Sequence, residues 1–294
     1  MDTEKISLTV FTPTYNRAHT LPVLYESLKR QTSKDFVWLI VDDGSTDTTE
    51  ELVSGWIKEN IVQIVYEKQE NGGKMKAHNR GAELCDTELF VCVDSDDFLT
   101  GNAVSAIIEK WKVTPNKESL SGIIAYRAIK NQEGEFKVVC RFPYLNDAKL
   151  YLLYRDGFNG DTTIIFRTEI LKQFPFPIFE GEKFIPETIM YNQMDRRYNW
   201  TLMDEALTLC EYMPDGYTQN SKNLYNKNPK GLAYLCNDNV TMPGITTKAK
   251  IQEIAKYIIY SERAGYRNIY KKSNIKGVLY LAALVLCVKY RKLI

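Results

Sequence analysis

At 294 residues the chain is long enough to bury a sizeable core, and it suits one α/β domain with an appendage or two modest domains. Hydrophobic residues at 44% and charged residues at 26% are ordinary for a globular protein and exclude a disordered or fibrous class. The formal net charge of +1 argues against nucleic acid as a partner.

The start, Met1-Asp2-Thr3-Glu4-Lys5, carries acids where a signal peptide needs positive charge, so a cytoplasmic location is expected. Residues 6–12 then read as a strand ending at Pro13, and residues 20–31 as a helix. A second strand over 36–42 stops at Asp42-Asp43-Gly44, followed by a helix over 48–59 and a strand over 61–66. A helix over 74–84 and a strand over 89–94 complete the first third. This alternation predicts a mostly parallel sheet with helices on its faces, whose ligands bind at the carboxyl ends of the strands. From about residue 103 to 212 the strands lengthen, at 122–130 and 136–142, with a turn at Asn131-Gln132-Glu133-Gly134 and a loop Phe174-Pro175-Phe176-Pro177. From about Pro229 the pattern is helical, through 251–260 and 278–288. The six cysteines are scattered, with no C-x-x-C pair, and read as buried thiols in a reducing compartment.

Four segments carry chemistry. Asp42-Asp43-Gly44-Ser45-Thr46-Asp47 follows an apolar strand; Ser45 to Asp47 suit a turn and helix cap, whereas two adjacent carboxylates repel unless a ligand or donor satisfies them. Asn71-Gly72-Gly73-Lys74-Met75-Lys76-Ala77-His78-Asn79-Arg80-Gly81 frees the backbone before a basic helix, which suits either an anion edge or a plain glycine-rich helix entry. It is not a P-loop, and no G-x-G-x-x-G follows the first strand. Asp94-Ser95-Asp96-Asp97 discharges a buried strand into three carboxylates, which fit Mg²⁺ or Mn²⁺ shared with substrate phosphates, or a solvated turn with a helix cap. Finally, Asp161 stands at the start of Asp161-Thr162-Thr163-Ile164-Ile165-Phe166-Arg167, and Glu187 follows Pro186 at the start of a helix expected over 188–198. Either carboxylate can take a proton from an attacking hydroxyl; Glu187 is the preferred base, and its bland role is to stabilise the helix dipole.

Thr12-Pro13-Thr14-Tyr15-Asn16-Arg17, Val41-Asp42-Asp43-Gly44-Ser45-Thr46-Asp47, Asn71-Gly72-Gly73-Lys74 and Asp94-Ser95-Asp96-Asp97 together resemble, in order and spacing, the family 2 glycosyltransferases. The resemblance spans roughly residues 5–210, and Gly181-Glu182-Lys183-Phe184-Ile185-Pro186-Glu187 is similar to a bacterial polysaccharide-biosynthesis branch. It implies an α/β GT-A domain over 1–215, with a nucleotide half to about 102 and an acceptor half after it, and a helical C-terminal extension over 216–294. It also implies inverting, metal-assisted transfer from a nucleotide-diphosphate sugar, usually a UDP-sugar, to a saccharide or lipid-linked saccharide. Asp42 or Asp43 would contact the base, Asp94 the ribose or sugar, and Asp96 the metal. Thr12, Pro13, Tyr15, Arg17, Gly73, Lys74, Asn79 and Ser95 would line the nucleotide-sugar pocket. Relatives often carry a Glu-Asp pair as the base where this chain reads Glu187-Thr188.

A sugar-nucleotide nucleotidyltransferase would need a glycine-rich loop after the first strand, where Pro13-Thr14-Tyr15-Asn16-Arg17 stands instead. A non-catalytic, glycosyltransferase-like binding protein is the other alternative, against which the intact acids argue. In the tail, the apolar run from Gly277 to Val288 falls short of the ~20 residues of a spanning helix. Its basic flanks, Lys271, Lys272, Lys276, Lys289, Arg291 and Lys292, fit either a buried terminal helix or a peripheral helix on the cytoplasmic face of an anionic membrane.

Overall fold

Strand β1 (Leu8–Thr14) is buried along its whole length, its three threonines included, as a central strand covered on both faces must be. In this computed structural model, residues 7–211 and 221–291 are described; the expected start of the first strand at Ile6 and the basic Lys292 lie outside them. β1 pairs in parallel with β2 (Phe36–Asp42) on one side and with β4 (Leu89–Cys92) on the other. Pairing with β4 stops at Phe11, so beyond it β1 has only one neighbour. That is why Pro13, expected to end the strand, sits inside it: a residue without an N–H is tolerated where one edge is open. β2 in turn pairs in parallel with β3 (Ile64–Lys68), giving the spatial order β3-β2-β1-β4.

Helices α1 (Leu21–Lys29), α2 (Thr49–Glu59) and α3 (Lys74–Leu84) make the crossovers. α3 approaches the sheet through Gly81: a Cβ there would stand 2.3 Å from the Phe11 ring. Phe11 is itself stacked on Phe90 and met edge-on by His78, so it has no room to move. Gly81→Ala is therefore expected to destabilise the protein by about 1–3 kcal/mol through overpacking, although alanine favours a helix by about 1 kcal/mol. A lowered urea midpoint at unchanged slope would register it.

The rest of this unit departs from the parallel pattern. After β5 (Phe98–Leu99) and α4 (Ala103–Val113), β6 (Leu120–Lys130) pairs antiparallel with β7 (Phe136–Lys137) and with β8 (Thr162–Arg167), which lies against β4. The strand expected over 136–142 ends at Lys137. The short helices α5 (Leu150–Arg155) and α6 (Thr168–Leu171) flank β8, and β9 (Asn199–Cys210) closes the sheet, parallel to β6 and antiparallel to β5. The core beneath is dominated by Trp38, Trp56, Trp111 and aliphatic residues of β1, β2, β4 and β6.

The chain leaves this first unit (Met1–Pro175 and Arg197–Pro214) for a second one, made of Phe176–Arg196 and Asp215–Ile294. Residues 176–196, which fall in the expected acceptor half, thus pack with the C-terminal helices. The second unit holds α7 (Thr188–Asp195), α8 (Ser221–Lys227), α9 (Pro229–Asn239), α10 (Thr247–Arg263), α11 (Ile269–Lys272) and α12 (Val278–Tyr290). Its core joins Leu232 and Cys236 of α9, Ile254 and Ile258 of α10, and Tyr280, Ala283 and Cys287 of α12. The excursion is tied in by Glu182, whose carboxylate accepts from the Lys230 and Gly231 N–H groups opening α9, and by Arg196, paired with Asp238 at 2.8 Å.

Candidate active site

In the order β3-β2-β1-β4 the chain first winds one way from β1 and then returns to β1's other side at β4. The crevice between β1 and β4, at their carboxyl ends, is the topological switch point where open α/β sheets bind ligands. Three of the acid- or base-bearing segments open there or beside it.

At the end of β2, Asp42 is fully buried. Its carboxylate accepts from the Ser45 N–H at 2.7 Å and the Tyr66 hydroxyl at 2.6 Å. Asp43, 4% exposed, accepts from the Gln69 amide at 2.7 Å, the Gly72 N–H at 2.9 Å and the Gly73 N–H at 2.7 Å. The adjacent carboxylates are thus satisfied by donors arriving from two directions. Asp43 also secures the glycine loop, with Gly73 at φ +92 opening α3. Asn16, at φ +54, binds the turns after β1 and β2 together: its side-chain oxygen accepts from the Thr46 N–H at 2.8 Å, and its own N–H donates to the Ser45 hydroxyl.

The β1 residues split into two groups. Thr12 is fully buried and its hydroxyl accepts from the Trp38 indole, and Pro13 is buried within the strand, whereas Tyr15 is 48% exposed and Arg17 half-buried beyond the strand end. On α3, Lys74 reaches back to Asp94, with Nζ 2.6 Å from Oδ1, and Asn79 is half-buried a turn later.

The acidic cluster leaves β4 in a tight turn, with the Asp97 N–H donating to the Asp94 carbonyl. Asp94 and Asp96 are half-buried, and Ser95 and Asp97 are buried. Burial works to raise the Asp94 carboxyl, but the Lys74 ammonium and the Arg127 guanidinium outweigh it and hold the group below its ordinary range. Asp96 is raised by burial and by the charge of Asp94, with Arg17 and Lys74 pulling the other way. Burial pushes Asp97 up to about 6, against the pull of Arg127, whose Nη1 lies 3.2 Å from Asp97 Oδ2.

Arg127 was not singled out from the sequence. Its signal was there, as the one charged side chain between Leu120 and Ile129 in an otherwise buried strand. Its N–H also donates to the Asp161 carbonyl at 3.0 Å. Because Val91 lies opposite Ile165 in antiparallel register, the start of β8 runs past the end of β4. The half-buried Asp161 is therefore brought to the edge of the acidic cluster. Glu187 belongs to the second unit, as the residue before α7; its carboxylate accepts from the Tyr191 hydroxyl at 3.0 Å. The helix expected over 188–198 ends at Asp195.

The cluster is an oxygen donor set with more negative charge than Lys74 and Arg127 offset, which suits a hard divalent cation. Among the described residues no group of three or more His, Cys, Asp or Glu could hold an ion unaided, so ligand phosphates would have to complete its shell.

Residues 9–174 match the family model described as Glycosyl transferase family 2. Among curated proteins, the chain is 31% identical over 172 residues to teichoic acid poly(glycerol phosphate) polymerase of Staphylococcus epidermidis, covering 56% of this chain and 22% of that one. It is 29% identical over 104 residues to glycosyltransferase GlyG of Streptococcus pneumoniae, covering 35% and 34%. The chain thus spans between about a fifth and a third of the length of these relatives. Among solved structures, S. aureus TarS 1–349 in complex with UDP-GlcNAc superposes with a TM-score of 0.62 at 17% identity, over 96% of this chain and 81% of that one. Mannosyltransferase PcManGT of Pyrobaculum calidifontis, in complex with GDP-Man and Mn²⁺, gives 0.55 at 16%, over 99% and 81%. At such identities the likeness is one of fold.

Proposed function

Because this chain belongs to glycosyl transferase family 2 and is a glycosyltransferase with the GT-A fold, we propose that it moves a sugar from a UDP-sugar to a saccharide hydroxyl, with inversion and with metal assistance. The observation that carries the reading is the meeting of Asp94, Asp96, Lys74 and Arg17 at the switch point of the sheet, where a nucleotide diphosphate and its cation find charges of both signs. The relatives are named for teichoic acid and other bacterial glycans, which favours a saccharide or lipid-linked saccharide acceptor on the cytoplasmic side of a membrane.

In this mechanism Tyr15 and Arg17 bracket the nucleotide above the β1 end, and Asp42 and Asp43 hold the base-side wall rigid through their internal hydrogen bonds. Asp94 orients ribose or sugar hydroxyls as an acceptor, and Lys74, released from part of its pairing with Asp94, meets the diphosphate oxygens. Asp96 would hold a divalent cation, which when bound supplies charge that neutralises the departing diphosphate. Within the first unit Asp161 is the carboxylate that takes the proton from the acceptor hydroxyl as it attacks the sugar carbon from the face opposite the leaving group; Glu187, the base preferred from the sequence, stands in the second unit. The sugar carbon passes through an oxocarbenium-like state.

Thermal unfolding tests the reading directly. UDP with Mn²⁺ at saturating concentration is expected to raise the melting temperature by about 5 °C, more than either alone, since only the folded site binds both. No shift with the pair would overturn donor binding at this site.

A further inference from the structure

Helix α12 has a single charged residue, Lys289, and is otherwise apolar or aromatic on every side. Such a helix is normally enclosed by neighbours. Here only one side is covered: Tyr280, Ala283 and Cys287 face α10, with the Cys287 thiol 3.5 Å from the Ala255 carbonyl. The opposite side leaves Val278 at 80%, Leu281 at 62%, Val285 at 76% and Val288 at 67% exposure, a continuous aliphatic strip one helix long. Strips of this kind on a water-exposed surface mark a place of contact.

The charges around the strip select its occupant. From Lys271 to Arg291 the chain carries Lys271, Lys272, Lys276, Lys289 and Arg291, all exposed, and no acid. Among the described residues only Arg291 is offset by an acid of another element, Glu262 of α10 at 2.7 Å. A second copy packed face to face on a two-fold axis would set the lysines before one α12 against the lysine ending its partner, like charge on like. A bilayer with anionic headgroups satisfies both features at once, taking the aliphatic strip into the acyl boundary and the lysines among the phosphates. The strip cannot go deeper, because no helix among the described residues is long and apolar enough to cross a membrane.

We propose that α12 docks this protein on the surface of an anionic lipid bilayer, lying along it with Val278, Leu281, Val285 and Val288 inserted. The proposal rests on the second unit's own geometry. Donor binding, read by UDP and Mn²⁺ in thermal unfolding, is a separate measurement that can fail without it.

The test is co-sedimentation of the full chain with vesicles. Binding to mixed phosphatidylglycerol and phosphatidylcholine vesicles is expected, with little to pure phosphatidylcholine. The double variant Leu281→Glu, Val285→Glu, altered only at exposed positions, is expected to lose at least about tenfold in partitioning, the loss for one aliphatic side chain no longer buried. Lys276→Gln with Lys289→Gln keeps the strip and is expected to weaken phosphatidylglycerol binding by roughly fivefold per charge. Equal binding to both vesicle types, or equal binding by the glutamate variant with its melting curve unchanged, would overturn the proposal. So would a concentration-dependent dimer that the glutamate variant abolishes, since the strip would then be covered by a second copy.

Discussion

Asp96→Ala is expected to cut turnover by roughly 10²–10³-fold, the loss that follows when several kcal/mol of transition-state charge stabilisation are removed. The same substitution should leave the melting temperature unchanged or slightly higher. Burial and the neighbouring Asp94 already work against the ionised form of Asp96, so the fold loses nothing when the carboxylate goes. Activity thus falls while stability holds or rises slightly, which separates a functional carboxylate from a structural one. Steady-state release of UDP from a UDP-sugar in the presence of Mn²⁺, beside a melting curve, reads both quantities. Wild-type turnover in the variant would remove Asp96 from the proposed metal role.

Asp43→Ala should behave in the contrary way. It leaves the Gly72 and Gly73 N–H groups without their acceptor, and each buried donor so stranded costs roughly 1–3 kcal/mol. The Gln69 amide can turn elsewhere, so a loss of about 3 kcal/mol is expected, equivalent to roughly 6–12 °C in melting temperature. Weaker UDP affinity should accompany it, because Lys74 opens the helix that this loop aims. A variant that kept its melting temperature but lost UDP binding would mean that Asp43 acts on the nucleotide directly and that its loop contacts are incidental.

The contrast between these two acids shows what could be read from the chain alone. Strand β2 and the start of α3 at Lys74 were legible, because an unbroken apolar run stopped by acids and a glycine pair before a basic helix are local patterns. That Asp42 and Asp43 needed donors was also legible. Which donors was not, since Tyr66, Gln69, Gly72 and Gly73 come from 24 to 30 residues away. Arg127 stood out only as a lone charge in a buried strand; its partner did not, since Asp97 lies 30 positions earlier and is reached through strand order rather than sequence. β9 escaped notice because Asp204 and Glu205 interrupt it at an irregularity in its pairing with β6, breaking the period of two. The strand expected through Phe142 rested on Val138 and Val139, but pairing with β6 ends at Lys137 and Val139 is left 66% exposed.

The excursion of residues 176–196 into the second unit also bears on how the protein is made. These residues leave the ribosome before α9 and α10 exist, so Glu182 and Arg196 emerge without the helix that later receives them. β9, the next element synthesised, already has β6 to pair with. The sheet can therefore close around its site while a segment of about twenty residues waits, unassembled, until α9 and α10 are made. A ribosome-bound chain halted after β9 should then resist protease across β1–β9 and be cut within the waiting stretch.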